Sequence, residues 1–269
     1  MPDDKAARLA AIRAAKSTSV ASAGVAPPLP AQETPDFNEI VPALALHTLL
    51  LILFAAILGA FAAVVVLPAW LPNLSASLLG PEPKAYWHLA RSSAFVAFGL
   101  LWLSMVFGLL MTNKLARTWP GGPTAFELHQ HTSLLGLAFA LFHGLILLGD
   151  SYIHASLAQV LIPFAYSGFA PFWVGLGQLS LYLLAIVGLS FYARAWLGRR
   201  AWRLIHFLSF VLFVLALLHG LLSGTDSTQL WAQALYWATG GSTLFLLCYR
   251  VLVSRLRRPA QSQSRASRT

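Results

Sequence analysis

Four histidines in two apolar segments have the residue type and the spacing to ligate metal ions. His129 and His143 lie 14 residues apart in one long hydrophobic run, and His206 and His219 lie 13 residues apart in another. Ionisable side chains are costly inside such runs and usually mark a functional site. Two neutral imidazoles can occupy both axial positions of one haem iron. If the helices bring them together in pairs, the four histidines form two bis-histidine sites for haem b.

The two segments are the third and fifth of six apolar runs. The chain is 58% hydrophobic and only 10% charged, a composition outside the range of soluble proteins. About 20 apolar residues cross the hydrocarbon as a helix, and the runs cover residues 41–67, 88–112, 125–148, 173–195, 203–222 and 231–252. Pro68 and Pro72 are predicted to end the first, and Gly198 and Gly224 bracket the fifth.

Positive charge predicts the orientation of these helices. Of the 18 Lys and Arg residues, 16 lie in the N-terminal segment, the second and fourth loops and the C-terminal tail, which leaves Lys84 and Arg91 for the other side. Cytoplasmic segments carry such an excess. We therefore predict an all-α, six-helix transmembrane bundle in the inner or plasma membrane, with both termini cytoplasmic. The net charge of +9 reflects topology, and no nucleic-acid partner is expected.

Residues 39–253 are predicted to form one six-span domain between two tails. Residues 1–38 are polar or rich in Ala and Pro and lack the apolar core of a secretory signal, so we expect a disordered or surface-lying cytoplasmic segment. Residues 254–269 predict a disordered basic cytoplasmic tail. The aromatic stretch of residues 150–173 contains two prolines and is expected to fold back over the outer membrane face.

Depth in the membrane predicts how the histidines pair. His143 lies about 21 Å deeper than His129, with an azimuth change of about 40°, so the two share a face. The third and fifth helices run in the same direction, and the histidines of the fifth lie at matching depths. The predicted haem sites therefore lie between these helices and pair His129 with His206 and His143 with His219.

Local features of the two helices add further expectations. Thr124 and Glu127 predict a capping box at the start of the third helix. Gly136 and Gly144 are predicted to remove side-chain bulk where a flat macrocycle would lie. The 13-residue spacing puts the histidines of the fifth helix about 140° apart, so a distortion near Ser209 is expected.

Other residues could contribute to the sites. The single cysteine, Cys248, excludes a CxxC pair, covalent c-type haem and an iron-sulfur cluster held by one chain. His131 is the alternative to His129. Arg91 could neutralise a haem propionate, attract an acceptor anion or extend towards the external headgroups. For Asp226, capping of the sixth helix is favoured over an influence on the outer site. The remaining histidines, His47, His88 and His154, are expected to be interfacial or hydrogen-bonded.

Three stretches resemble the ferric reductase-like transmembrane domain, a family with ferric reductases, the membrane part of NADPH oxidases and the haem subunit of bacterial methionine sulfoxide reductase systems. They are residues 127–143 (ELHQHTSLLGLAFALFH), residues 161–177 (LIPFAYSGFAPFWVGLG), and residues 202–207 (WRLIHF) with 218–226 (LHGLLSGTD). The resemblance covers about residues 88–250. It implies two stacked haems ligated by His129, His206, His143 and His219.

The chain departs from the full-length oxidases because no FAD- or NAD(P)H-binding region follows the sixth run. The resemblance therefore implies a haem-binding oxidoreductase component that takes electrons from a separate cytoplasmic flavoprotein or quinol. It would pass them to ferric ion, oxygen or a periplasmic protein.

Three other interpretations stay open. One is a one-haem membrane subunit of a periplasmic reductase, and another is a membrane anchor that has lost its redox function. The third is a haem-free, histidine-lined proton channel or transporter, against which the spans lack the carboxylates that proton relays often include.

Overall fold

The computed structural model describes residues 41–70, 85–150 and 152–266, and within these ranges the regular structure is helical, without a strand. The predicted N-terminal segment, Pro72 and Lys84 lie outside the described residues. The α-helices of the described ranges are α1 (Leu46–Phe61), α2 (Leu67–Trp70), α3 (Ala85–Thr112), α4 (Gly122–Ile146), α5 (Leu157–Leu161), α6 (Pro171–Ser190), α7 (Arg194–Ser223) and α8 (Leu230–Ala266).

Five helical segments are long and apolar enough to cross a membrane. They are Leu46–Trp70, Ala85–Thr112, Gly122–Gly149, Pro171–Ser190 and Arg194–Ser223. They correspond to the first five apolar runs and confirm the expectation of an all-helical membrane protein. The sixth run lies on α8, which is not among these segments because Gln233, Thr239, Ser242 and Thr243 interrupt its apolar residues.

Helix α8 runs beside α3 in the same direction. The rings of Phe95 and Trp231 lie 4.9 Å apart near the start of both helices, and Arg250 Nη1 donates to the carbonyl of Thr112 (2.6 Å) near the end of α3. The helix continues to Ala266, so it enters the tail that was predicted to be disordered.

The first apolar helix continues past Pro68, where the sequence predicted its end. A proline removes one N–H and clashes with the carbonyl four residues earlier. A π-helical turn, Ala62–Val66, lies directly before Pro68 and relaxes this constraint. The hydroxyl of Tyr86 donates to the carbonyl of Ala63 in this turn (2.5 Å). The helix then resumes as α2 and reaches Trp70.

Helix α4 begins before the predicted capping box. Its N-cap is Gly121, whose φ of +103° suits glycine. Pro123 follows within the first turn, where its missing N–H costs nothing. Thr124 and Glu127 therefore lie inside the helix, and the capping-box prediction was wrong because the glycine and proline start the helix earlier.

Helices α3 and α4 form a closely packed antiparallel hairpin. A Cβ atom added to Gly136 of α4 would lie 3.5 Å from Leu100 Cβ and 3.6 Å from the carbonyl oxygen of Ala97 on α3. These are ordinary contact distances, so Gly136 faces α3 and not, as predicted, a macrocycle. Small or polar side chains at seven-residue spacing on α3 are buried along this hairpin: Ala90, Ala97 and Ser104.

The main hydrophobic core lies where this hairpin meets a second one, formed by α6 and α7. Its buried side chains come from all four helices: Leu101, Met105, Leu137, Leu184, Val187, Leu212 and Phe213. Leu137 lies between the two histidines of α4 in sequence, and Leu212 lies between those of α7. The core therefore separates the level of His129 and His206 from the level of His143 and His219.

The segment between α4 and α6 folds back onto α6 as expected from the sequence. Gln178 of α6 holds it through its side-chain amide. The Oε1 atom accepts from the backbone N–H of Phe164 (3.0 Å), and Nε2 donates to the carbonyls of Gln159 (2.7 Å) and Val160 (2.8 Å). Gln178 therefore fixes helix α5 and the turn after it.

We predict that Gln178→Leu releases this segment. Three hydrogen bonds at about 1 kcal/mol each are lost, so the amides of residues 157–164 should exchange with solvent roughly 100-fold faster. Hydrogen exchange read by mass spectrometry checks this. Gln233→Leu is the matched control, because Gln233 makes only an exposed contact of 3.5 Å to the carbonyl of Thr228. Equal exchange of the segment in both variants would contradict the assigned role.

Candidate functional site

The four histidines of α4 and α7 meet in two pairs across the two hairpins. The ring centroids of His129 and His206 lie 5.9 Å apart, and those of His143 and His219 lie 6.3 Å apart. The ring planes are inclined by 71° in the first pair and 65° in the second. These are the pairs that the depth argument predicts, and we name His129–His206 the inner pair and His143–His219 the outer pair.

Three of these imidazoles donate hydrogen bonds to backbone carbonyls of neighbouring helices. A carbonyl oxygen can only accept, so Nδ1 carries the proton and Nε2 keeps its lone pair. This is the tautomer of a histidine that ligates a metal through Nε2, with its orientation fixed by the second nitrogen. The Nδ1 bonds join His129 to Ser104 (2.9 Å), His143 to Ala90 (2.8 Å) and His219 to Trp173 (2.9 Å).

The register of the α3–α4 hairpin positions two of these bonds. Ala90 and Ser104 are 14 residues apart on α3, which matches the spacing of His129 and His143 on α4. Two helices that pack side by side with equal spacing bring both acceptors opposite both donors. The 14-residue spacing of His129 and His143, interpreted from the sequence as a haem-ligand pattern, thus also equals the spacing of their two acceptors on α3.

His206 is held in a different way. The indole of Trp202, one turn earlier on α7, stacks on the His206 ring with centroids 5.1 Å apart and planes inclined by 20°. Among the described residues, no hydrogen-bond partner contacts the ring nitrogens of His206. The backbone of α7 leaves helical φ/ψ at Gly198 (φ 74°, ψ 158°) and not near Ser209, where a distortion was expected. The backbone between His206 and His219 is therefore an unbroken helix.

Serine hydroxyls lie close to one histidine in each pair. Ser104 Oγ is 3.1 Å from Nδ1 of His129 and 2.5 Å from Ser133 Oγ. Ser223 Oγ is 3.1 Å from Nδ1 of His219 and donates to the carbonyl of that residue (2.6 Å). Each pair therefore has one serine hydroxyl 3.1 Å from an imidazole Nδ1.

Glycine on α6 makes room for the outer pair. A Cβ atom on Gly177 would lie 2.5 Å from Nδ1 of His219, so a side chain there displaces the imidazole. A Cβ atom on Gly108 of α3 would lie 3.3 Å from Cε1 of His129, a tight contact that is less severe than the one at Gly177. At Gly144 the atom nearest to an added Cβ would be Cγ1 of Val160 at 3.6 Å, so this glycine faces the segment between α4 and α6.

The roles of Trp202, Ser104 and Gly177 were not identified from the sequence. Trp202 had a detectable signal, because residues four apart on a helix share a face and His206 follows it by four. The acceptor role of Ser104 depends on which helix packs against α4, and the role of Gly177 depends on the approach of α6 to α7. Sequence spacing within one helix carries no information on either contact.

The other histidines lie elsewhere. Nδ1 of His131 bonds the carbonyl of Glu127 on its own helix (2.8 Å), and it is His129 whose ring lies beside His206. The remaining three are exposed: His47, His88 and His154.

Arg91 lies at the level of the outer pair, directly after Ala90, and binds a carboxylate. Its Nε donates to Asp226 Oδ2 (2.7 Å), and its Nη2 binds the same oxygen. The guanidinium carbon also lies 4.1 Å from the ring centroid of Trp87. The carboxylate of Asp226 therefore joins the loop before α8 to α3. The sequence pattern had instead favoured capping of the sixth helix by this residue.

Each histidine pair leaves room for one metal ion between its two imidazoles. Two metal–nitrogen bonds of about 2 Å each, with the two half-rings, span roughly 6 Å between imidazole centroids. The observed centroid distances are 5.9 and 6.3 Å. Within the described ranges, no group of three or more His, Cys, Asp or Glu side chains is placed to hold a metal ion.

No protein-family model, curated protein or solved structure matches this chain. The resemblance to the ferric reductase-like transmembrane domain therefore stays a prediction.

We predict that Gly177→Ala destabilises the protein through the outer pair. The added methyl group forces the His219 ring from its position, so the free energy of unfolding should fall by about 1–3 kcal/mol. Gly188→Ala on the same helix is the control, because its nearest neighbour would be Leu134 Cδ2 at 3.7 Å, an ordinary contact. Unfolding of detergent-purified protein measures both, and equal stability of the two variants would refute the close approach at Gly177.

Proposed function

We propose that this chain is a membrane b-type cytochrome of the ferric reductase-like kind, which moves single electrons across the membrane through two bis-histidine haems. The observation that carries the proposal is the pair geometry. Two imidazole pairs, with ring centroids 5.9 and 6.3 Å apart, join two helix hairpins at separate levels. Three of the four rings have Nδ1 bound to a carbonyl and Nε2 free to ligate.

In this proposal His129 and His206 hold the inner haem b, and His143 and His219 hold the outer one. When bound, haem supplies reversible one-electron chemistry between ferric and ferrous iron. The carbonyls of Ser104, Ala90 and Trp173 fix ring orientation and ligand basicity. Arg91 holds the loop before α8 through Asp226, so a haem propionate would compete with that carboxylate for the guanidinium.

The apolar core favours electron transfer over a proton relay. Proton movement along histidines requires polar groups between them, and each ring must exchange hydrogen-bond partners. The core between the inner and outer levels is built from apolar side chains, including Leu137, Leu212 and Phe213. The buried hydroxyls of Ser93 and Thr132, which also lie between these levels, donate to carbonyls of their own helices. Hydrogen bonds to backbone carbonyls also hold His129, His143 and His219 in one tautomer. Both features oppose the haem-free channel, whereas an electron needs only a short packed path.

The similar geometry of the two pairs favours two haems over one. In a one-haem subunit, one pair would have no iron to ligate and no reason to keep a ligating tautomer. Here each pair contains at least one histidine whose Nδ1–H is bound by a backbone carbonyl.

The parallel packing of α8 on α3 supports a sixth crossing. Contacts run from Phe95–Trp231 to Thr112–Arg250, about 28 Å of helix, nearly the thickness of the hydrocarbon. With six crossings both termini lie on the side that carries 16 of the 18 Lys and Arg residues, the cytoplasm. We place the chain in the inner or plasma membrane, with a cytoplasmic flavoprotein or quinol as donor. The acceptor is external: ferric ion, oxygen or a periplasmic protein.

Haem content tests the proposal directly. We expect detergent-purified protein to give a b-type reduced-minus-oxidised spectrum and, by the pyridine haemochrome assay, two haems per chain. His143→Ala should retain about one, because only the outer site loses a ligand. His131→Ala on the same helix is the matched control and should keep both. Folded wild-type protein that stays haem-free after expression with ample haem would overturn the cytochrome proposal.

Reporter fusions test the sixth crossing. Alkaline phosphatase fused after Gly224 should be active, because that point follows an odd number of crossings from a cytoplasmic N-terminus. A fluorescent protein fused after Thr269 should be bright, because the sixth helix returns the chain to the cytoplasm. An active phosphatase after Gly224 together with a dark fluorescent protein after Thr269 would mean that α8 does not cross.

A further inference from the structure

The two histidine pairs differ in how their rings are held. Both outer ligands donate Nδ1–H to a backbone carbonyl, His143 to Ala90 (2.8 Å) and His219 to Trp173 (2.9 Å). In the inner pair only His129 does so. Its partner, His206, is covered instead by the indole of Trp202, with ring centroids 5.1 Å apart and planes inclined by 20°.

The serine hydroxyls do not remove this difference. One hydroxyl lies 3.1 Å from Nδ1 in each pair, Ser104 Oγ near His129 and Ser223 Oγ near His219. The two pairs therefore differ in the remaining histidine. In the outer pair His143 donates to a backbone carbonyl, whereas in the inner pair His206 is stacked against an indole.

A carbonyl bond and a ring stack have different chemical effects on an imidazole. Donation from Nδ1–H to an acceptor raises the basicity of Nε2 and strengthens its bond to a metal. A more basic axial ligand stabilises ferric over ferrous iron, so it lowers the reduction potential of a haem. Stacking fixes the orientation of the ring without drawing on its N–H. An iron in the outer site would thus have two ligands of raised basicity, and an iron in the inner site only one.

We propose that Trp202 is the positioning residue of the inner haem site. Stacking by Trp202 replaces the carbonyl bond that the other three ligands have, and this makes the inner haem the higher-potential and more weakly held of the two. The inference rests on the proposed haem function and goes beyond it, because it assigns a role to a residue that touches neither iron nor donor and ranks the two sites.

Single-site proteins identify which haem has which potential. His143→Ala retains the inner pair and His129→Ala retains the outer pair. Potentiometric titration of each, followed by absorbance, should give one step. We expect the step of His143→Ala at the upper of the two wild-type potentials and that of His129→Ala at the lower. The reverse order would overturn the ranking.

Substitution of Trp202 tests the positioning role. In the His143→Ala background, Trp202→Leu should weaken haem retention by at least about 10-fold, a typical cost of losing a group that orients a ligand. Trp202→Phe keeps an aromatic ring and should retain the haem. The control is Trp196→Leu on the same helix, because Trp196 is 88% exposed and should leave haem retention and potential unchanged.

The full-length chain with both sites intact separates a local from a general effect. Trp202→Leu should reduce the upper-potential step and leave the lower one at its wild-type position and amplitude. Loss of both haems, or unchanged haem in the single-site protein, would overturn the positioning role. Haem-free wild-type protein would overturn the cytochrome proposal itself, so the two failures are distinguishable.

Discussion

The antiparallel register between α3 and α4 is the constraint on which the site depends. The acceptors Ala90 and Ser104 and the donors His143 and His129 are both 14 residues apart, so a slip of one residue, about 1.5 Å along the axis, would break both bonds together. The small buried side chains of α3, Ala90, Ala97 and Ser104, allow the approach that these bonds require. Helix carbonyls have a second lone pair, so Ala90 and Ser104 can accept an imidazole without leaving the helix ladder.

The contacts between the two hairpins matter because lipid offers little hydrophobic drive for helix association. In a bilayer, packing and interhelical hydrogen bonds supply most of the stabilisation. The core around Leu137, Leu184 and Phe213 supplies the packing, and the bond from His219 to Trp173 orders the outer end of the second hairpin. A ligand bound by both members of a histidine pair would therefore join two units that are each already well ordered.

Composition, helical periodicity and membrane topology predicted the helices and the level of each histidine. The first five apolar helices, the proximity of His129 to His206 and that of His143 to His219 follow from hydrophobic length, direction and depth. Contacts set by the close packing of a particular neighbouring helix did not follow. Gly136 was assigned to a macrocycle because nothing in α4 alone reveals α3. The hydropathy of α8 is lowered by polar residues such as Thr239 and Thr243, which are buried in the protein, and a hydropathy average does not record that burial.

Unequal haem sites would affect the direction of electron flow in the proposed cytochrome. If the inner haem has the higher potential, ligand chemistry alone makes transfer to the outer haem unfavourable. The two levels lie about 21 Å apart within a hydrocarbon layer of about 30 Å, so an electron crosses about two thirds of the membrane potential. One charge across the full potential corresponds to about 2.3 kcal/mol per 100 mV, hence about 1.5 kcal/mol per 100 mV for this step. An inside-negative membrane drives electrons outward and so offsets the difference in reduction potential that the ligands create. An energised membrane would therefore favour outward transfer through such a pair and oppose the reverse transfer.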